Sequence, residues 1–225
     1  MQPYFFPYAG YFRLLAAADE LVVYDCVQFP RRGRVHRCRV PGPSGAEEWL
    51  TLPLCRHPRS TLIRELRFAE GAREELDRRL DRLPWIGQGG GPQADRIRAH
   101  LRGPLDDVTD FLVRGLELVR DLLGFGTRLR RSSDLGVDTA RRGQDRILAI
   151  CEAVGARHYL NAPGGRDLYD AQAFGDRGVH LEFLPEYRGP HFLFLPALLR
   201  VPAAELREDV LASLGMAGDR PPEST

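Results

Sequence analysis

Apolar positions recur along the chain in two spacings, helical and alternating, and the changes of spacing mark its elements. In the opening stretch, Met1 to Gln28, Phe12, Leu14, Leu15 and Ala18 fit one helical face and predict a helix from about Tyr11 to Ala18. The branched and aromatic run Leu-Val-Val-Tyr predicts a strand at Leu21 to Tyr24, and a short strand is expected at the very start, before a turn holding Pro3, Pro7 and Gly10. That is a βαβ unit. Arg34 to Val40 and Trp49 to Leu54 read as extended segments joined by the turn-rich PGPSGAE, and Thr61 to Phe68 alternates apolar with polar. An antiparallel β excursion over 29–68 is the expectation.

From Ala72 the spacing is helical through GAREELDRRLDRL, ADRIRAHL and Leu105 to Leu123, a helical insertion over 70–124. The last third alternates again. Thr127 to Arg131 reads as a strand, Thr139 to Val154 as a helix with Ile147, Leu148 and Cys151 inward, and Arg157 to Leu160 as a strand. A helical turn through Tyr169 and Phe174 then leads to a strand at Val179 to Phe183. This rhythm predicts an α/β fold, a mostly parallel sheet with helices on both faces, carrying the antiparallel excursion. One domain is expected over 1–216, and the polar, Pro-rich residues 217–225 are expected to be a disordered tail.

Composition narrows the partners. With 225 residues and 43% hydrophobic content the chain can bury a substantial core, and a formal net charge of +1 gives no general attraction to nucleic acid or to a membrane surface. No apolar run approaches the length that spans a bilayer, and the start lacks the layout of a signal peptide, so a cytoplasmic protein is expected. The four cysteines, Cys26, Cys38, Cys55 and Cys151, are then reduced thiols. A small, anionic substrate is the expected partner; the residues specify neither a cofactor nor an oligomeric state.

In an open parallel sheet, ligands sit outside the carboxyl ends of the strands. Four such ends carry polar or glycine residues: the turn with Pro3, Tyr4, Gly10 and Tyr11; Asp25 to Gln28; Ser132, Ser133 and Asp134; and the loop with Asn161, Gly164, Gly165 and Tyr169. Asp25 and Gln28, directly after a buried strand, are the candidate catalytic groups, and the others are candidate substrate contacts. Each has a plainer reading. Phe5, Phe6, Tyr8, Tyr11 and Phe12 can simply plug a core, Ser132 to Asp134 can cap a helix, and Gly164-Gly165 can be only a turn. In the excursion, alternation puts Arg37 and Arg39 on one face and His36 and Cys38 on the other. The arginines suit either an anion clamp or a charged edge strand. Gly89-Gly90-Gly91 lacks the preceding strand and following Lys-Ser/Thr of a phosphate loop and reads as a mobile linker. His36, Cys38, Cys55 and His57 are zinc-type ligands. A hairpin centred on the turn sets Cys55 opposite Arg34, so no metal is assigned.

The stretches MQPYFFPYAGYF, ADELVVYDCVQF, RVHRCRV, WLTLPL, RRSSDL, DRILAICEAVGARHYL and GGRDLY resemble the WbqC-like family. The resemblance implies a setting in polysaccharide or specialised-metabolite biosynthesis, and functional roles for Asp25, Gln28, Arg37 and Arg39. This chain has Cys26 where the family usually has a second acid, and His36-Arg37-Cys38-Arg39 where it has Asn-Arg-Asn-Arg. A family serine-glycine pair is replaced around Asn161-Ala162. The opening also resembles, in layout, the nucleotidyltransferases with their Rossmann-like fold, but Tyr8-Ala-Gly-Tyr11 stands where those enzymes use His-x-Gly-His. Taken together, the residues and the resemblance point to a transferase joining an acyl or aminoacyl group to an amine, or to a non-catalytic accessory protein that binds a nucleotide or intermediate.

Overall fold

The computed structural model describes residues 1–138, 140–212 and 214; the expected tail, 217–225, and Thr139 lie outside them. The first helix, α1 (Ala9–Ala17), and the strand β1 (Glu20–Val23) fall where the apolar pattern puts them. The expected first strand does not form a regular element. Its place is taken by one residue, Met1, whose nitrogen donates to the Val22 carbonyl (2.7 Å) and whose carbonyl accepts from the Tyr24 amide (2.8 Å). Pro3 and Pro7 supply no amide hydrogens, so the pairing cannot run on from Met1.

β1 pairs in parallel with β4 (Arg128–Arg131), setting Val23 opposite Arg131. Two acids hold the arginines of β4: Glu20 reaches Arg130 (3.0 Å), and Asp110 pairs with Arg131. A second parallel pair joins β5 (His158–Asn161) to β6 (His180–Phe183) through α6 (Ala171–Gly175). The α/β fold with parallel pairing is therefore present, as two separate two-stranded ladders among the described residues. Alternation along β1 places apolar groups on opposite sides. Leu21 packs into a core with Phe12 and Leu15 of α1, whereas Val22 and Tyr24 pack against Ile147, Leu148 and Cys151 of α5 (Gly143–Val154). Helices thus cover both faces.

The excursion is an antiparallel hairpin, β2 (Arg37–Pro41) with β3 (Glu47–Thr51), pairing Cys38 with Leu50 and Arg39 with Trp49. Its expected third strand is instead a short 3-10 turn, Ile63–Glu65, flanked by isolated antiparallel bridges of Gln28 with Leu62 and Leu54 with Phe68. The Glu65 carboxylate accepts from the Leu62 amide (2.9 Å) and closes the turn. Its backbone still ties down the site, since the Arg64 amide donates to the Asp25 carbonyl and the Ile63 amide to the Val27 carbonyl, each at 3.0 Å.

The insertion comprises α2 (Ala72–Asp81), α3 (Pro92–Leu101) and α4 (Val108–Leu122), the last capped by Asp107. The glycine linker before α3 is pinned. Arg98 donates to the Gln88 and Gly89 carbonyls, and a Cβ on Gly89 (φ +75°) would collide with the Leu199 carbonyl. Two C-terminal helices, α7 (Phe194–Arg200) and α8 (Ala203–Ala212), complete the larger core, α8 packing on α1. No helix among the described residues is long and apolar enough to cross a membrane.

Candidate functional site

The carboxyl ends of β1 and β4 lie side by side because the strands pair in parallel, and this brings Asp25 to Ser132 and Ser133 across more than a hundred residues of chain. Asp25 is completely buried. Its Oδ1 accepts from the Ser132 hydroxyl (2.7 Å) and the Ser133 amide (3.0 Å), and its Oδ2 accepts from the Ser133 hydroxyl (2.7 Å). Ser132 is saturated: while donating to Asp25, its Oγ accepts from the amides of Asp25 (3.2 Å) and Cys26 (3.3 Å). Two hydroxyl groups and one amide thus satisfy both oxygens of the buried carboxylate. Ser133 differs in being only half-buried, so its hydroxyl connects the carboxylate with the outside. The two serines serve Asp25 and not a helix end, and the residues from Ser132 to Leu135 form a 3-10 turn.

The sequence reading missed Arg146. This arginine lies on the inward face of α5, 7% exposed, donating to the Cys26 carbonyl (2.9 Å), with its guanidinium carbon 6.0 Å from the Tyr24 ring centre. Its signal was a charge one residue before the inward pair Ile147-Leu148. Burial raises the Tyr24 phenol above its ordinary value, and Arg146 partly offsets the rise. Burial also pushes the Cys26 thiol upward, so at neutral pH it stays a thiol and not a nucleophilic thiolate. Its Sγ lies 3.6 Å from Asp25 Oδ1.

The remaining candidates are organised in smaller groups. Asp134 is exposed and touches the cluster through Ser133 (3.4 Å). Tyr169 packs edge-on to Tyr159 and Phe174, in the core that also holds Tyr24. Asn161 accepts from the Ala162 amide (2.8 Å), and its amide nitrogen lies where a Cβ on Gly165 would stand; Gly164 faces open space. Pro3, Tyr4, Gly10 and Tyr11 build the N-terminal turn: Tyr4 packs on Tyr11, whose hydroxyl donates to the Gln2 carbonyl (2.9 Å), and Gly10 makes room for Tyr8 and Tyr187. Gln28 is exposed, and its side chain donates to the Arg59 carbonyl (2.6 Å). Arg37 and Arg39 lie over the Trp49 ring of their own hairpin, at 4.2 and 4.9 Å. The zinc-type residues do not converge. Phe29 packs edge-on to both His36 and His57, Cys38 is buried, and Cys55 turns to the Phe68 carbonyl; no three potential ligands cluster among the described residues.

The comparisons agree with the motifs. A family model described as the WbqC-like protein family matches residues 2–198. The chain belongs to this family. The match takes in β1, the excursion, Ser132 to Asp134 and α5, and so the whole Asp25 cluster. The uncharacterized protein Rv1507c of Mycobacterium tuberculosis is 24% identical over 205 residues, covering 84% of this chain and 81% of its own. No solved structure matches.

Proposed function

We propose that this WbqC-like protein is a biosynthetic transferase that joins an acyl or aminoacyl group to an amine of a sugar or small metabolite. The observation that carries the reading is the 2.7 Å bond from the half-buried Ser133 hydroxyl to the buried Asp25 carboxylate at adjoining strand ends. A group within hydrogen-bond reach of a carboxylate is poised to pass it a proton. Asp25 is too enclosed to meet a substrate itself, so Ser133 is the group that touches it. As the amine nitrogen forms its bond to the acyl carbon, its proton passes to the Ser133 oxygen while the Ser133 proton passes to Asp25. The bond from the acyl carbon to its leaving group breaks with that group taking the electron pair. Arg146 supplies positive charge beside the cluster, Gln28 positions the amine, and Arg37 with Arg39 hold an anionic part of the substrate.

The test is mass spectrometry of reactions containing activated acyl or aminoacyl donors and amino sugars. Replacement of Ser133 by Ala should abolish a product made by the unaltered protein while the fold is kept. Full turnover in Ser133→Ala overturns the assignment. A second reading, a non-catalytic accessory protein that holds a nucleotide or intermediate, is favoured by a different observation. Both oxygens of Asp25 are satisfied internally, and neither of two open recesses, of about 390 and 480 Å³, is lined by Asp25 or Ser133. Ligand-induced thermal stabilisation without any product supports that alternative.

A further inference from the structure

Three arginines surround one indole on the outer face of the excursion. The guanidinium carbons of Arg37, Arg39 and Arg34 stand 4.2, 4.9 and 6.0 Å from the Trp49 ring centre. They are within about one Debye length of one another, roughly 10 Å at 0.1 M salt, so their repulsion is little screened. Only Arg39 has a counter-ion among the described residues, Glu47 at 2.8 Å. Arg37 is turned to the carbonyls of Gly33 and Arg32, and no carboxylate or carbonyl among the described residues bonds the Arg34 guanidinium. Cation–π attraction offsets part of the repulsion and leaves the face short of an anion.

The cluster continues in a row of rings. Arg34 also lies 5.9 Å from the Tyr8 ring centre, and Tyr8 stacks at 5.9 Å and 5° on Phe192, whose side chain is 55% exposed. The row is built by the backbone. The Phe5 amide donates to the Arg34 carbonyl and the Ala9 amide to the His191 carbonyl, each at 3.1 Å, so the turn holding Tyr8 fastens Arg34 on one side and the Phe192 loop on the other. Within the same turn lies Phe6, at φ +41° the one described non-glycine residue in the left-handed region. Strained backbone of this kind persists where surrounding contacts dictate it, as at ligand sites.

We propose that this row is a binding site for a nucleoside diphosphate: the base stacks on the exposed face of Phe192 beside Tyr8, and the phosphates bridge Arg34 and Arg37 over Trp49. A free aromatic face followed by uncompensated guanidiniums suits a planar heterocycle joined to an anion. The proposal extends the anion-holding role given above to Arg37 and Arg39, and it stands on binding alone. Transfer chemistry at Ser133 can fail without affecting it.

The test is a fluorescence titration of the full chain with adenosine diphosphate, uridine diphosphate, inorganic pyrophosphate and a single-stranded oligonucleotide. Trp85 is buried and Trp49 only half-buried, so quenching by an added ligand reports on Trp49. At least one nucleoside diphosphate should quench saturably, more tightly than pyrophosphate and than the oligonucleotide per site. Arg34→Ala should weaken both nucleoside diphosphate and pyrophosphate about tenfold. Phe192→Ala should weaken the nucleoside diphosphate to a similar degree and leave pyrophosphate unchanged. Ser133→Ala should bind as the unaltered protein does. Circular dichroism of the two exposed-site variants should show unchanged folding. No saturable quenching at millimolar ligand, or quenching that survives both substitutions, overturns the proposal. Equal affinity for pyrophosphate removes the stacking half, and tighter oligonucleotide binding replaces the small ligand with a nucleic acid; either result also overturns it.

Discussion

The carboxyl end of β1 and the outer face of the β2–β3 hairpin are both rich in polar side chains, and they are organised in opposite ways. Around Asp25 the account closes internally: one buried carboxylate meets two hydroxyls and an amide, and each donor has its acceptor. Around Trp49 it stays open, with three guanidiniums on one ring and a single carboxylate among them. Satisfied polar networks in the interior contribute to stability, and removing one member leaves the others unpaired. Unmatched charges at the surface contribute little to stability and a great deal to what the surface attracts. The first region should therefore respond to mutation in folding, and the second in binding.

The largest effect should come from Asp25→Ala, which strands both serine hydroxyls and the Ser133 amide. A loss of about 3 kcal/mol or more is expected in urea unfolding. Asp25→Asn is milder but not silent, because its amide nitrogen brings donors against donors, and about 1–3 kcal/mol is expected. An unchanged midpoint for Asp25→Asn would remove the carboxylate as the tie between β1 and β4.

Next comes a contrast of arginines. Arg146→Met leaves the buried Cys26 carbonyl without its donor and should cost about 1–3 kcal/mol. Arg34→Ala, exposed and bonded only through its rings, should stay within about 0.5 kcal/mol of the parent. Equal losses would break the comparison. The serines sharpen it further: Ser132→Ala, which severs three bonds, should destabilise more than Ser133→Ala, which severs about 1 kcal/mol worth of one bond to Asp25.

Acid should produce the broadest effect, because it acts on two imidazoles at once. Burial, with Arg37 and His57 nearby for His36 and Arg114 for His100, lowers both imidazoles from 6.5 to about 4. Each carries a buried ring nitrogen without a partner, His36 Nδ1 and His100 Nε2, and both sit against aromatic rings. The unfolded chain binds these protons more readily than the fold does. Their contribution to stability is complete above pH 6.5 and is lost progressively as pH falls toward about 4. His100→Gln should flatten that slope when urea midpoints near neutral pH and near about pH 5 are compared. A slope unchanged by the substitution would remove His100 as a contributor.

Local pattern was enough for much of this molecule. The 3.6-residue spacing of Phe12 and Leu15, the branched run before Asp25 and the turn between Arg39 and Trp49 are written in neighbouring residues, and the elements they predict exist. Asp25, Ser132 and Ser133 were identifiable as one cluster because parallel pairing must bring their strand ends to the same edge. Other features depend on partners far along the chain. Whether Met1 begins a strand was decided by prolines that break its ladder, and whether Thr61 to Phe68 extends was decided by Glu65 closing a turn beneath Asp25. Helices α7 and α8 were not anticipated, although they complete the larger core. Arg146 looks like any helix charge until α5 is laid against Tyr24. Arg34, Tyr8 and Phe192 form a row only because one N-terminal turn binds the excursion on one side and the chain before α7 on the other. Periodicity specifies what a segment can bury; which buried polar group meets which partner, and which charges are left without one, depends on distances that exist only once the chain has closed on itself.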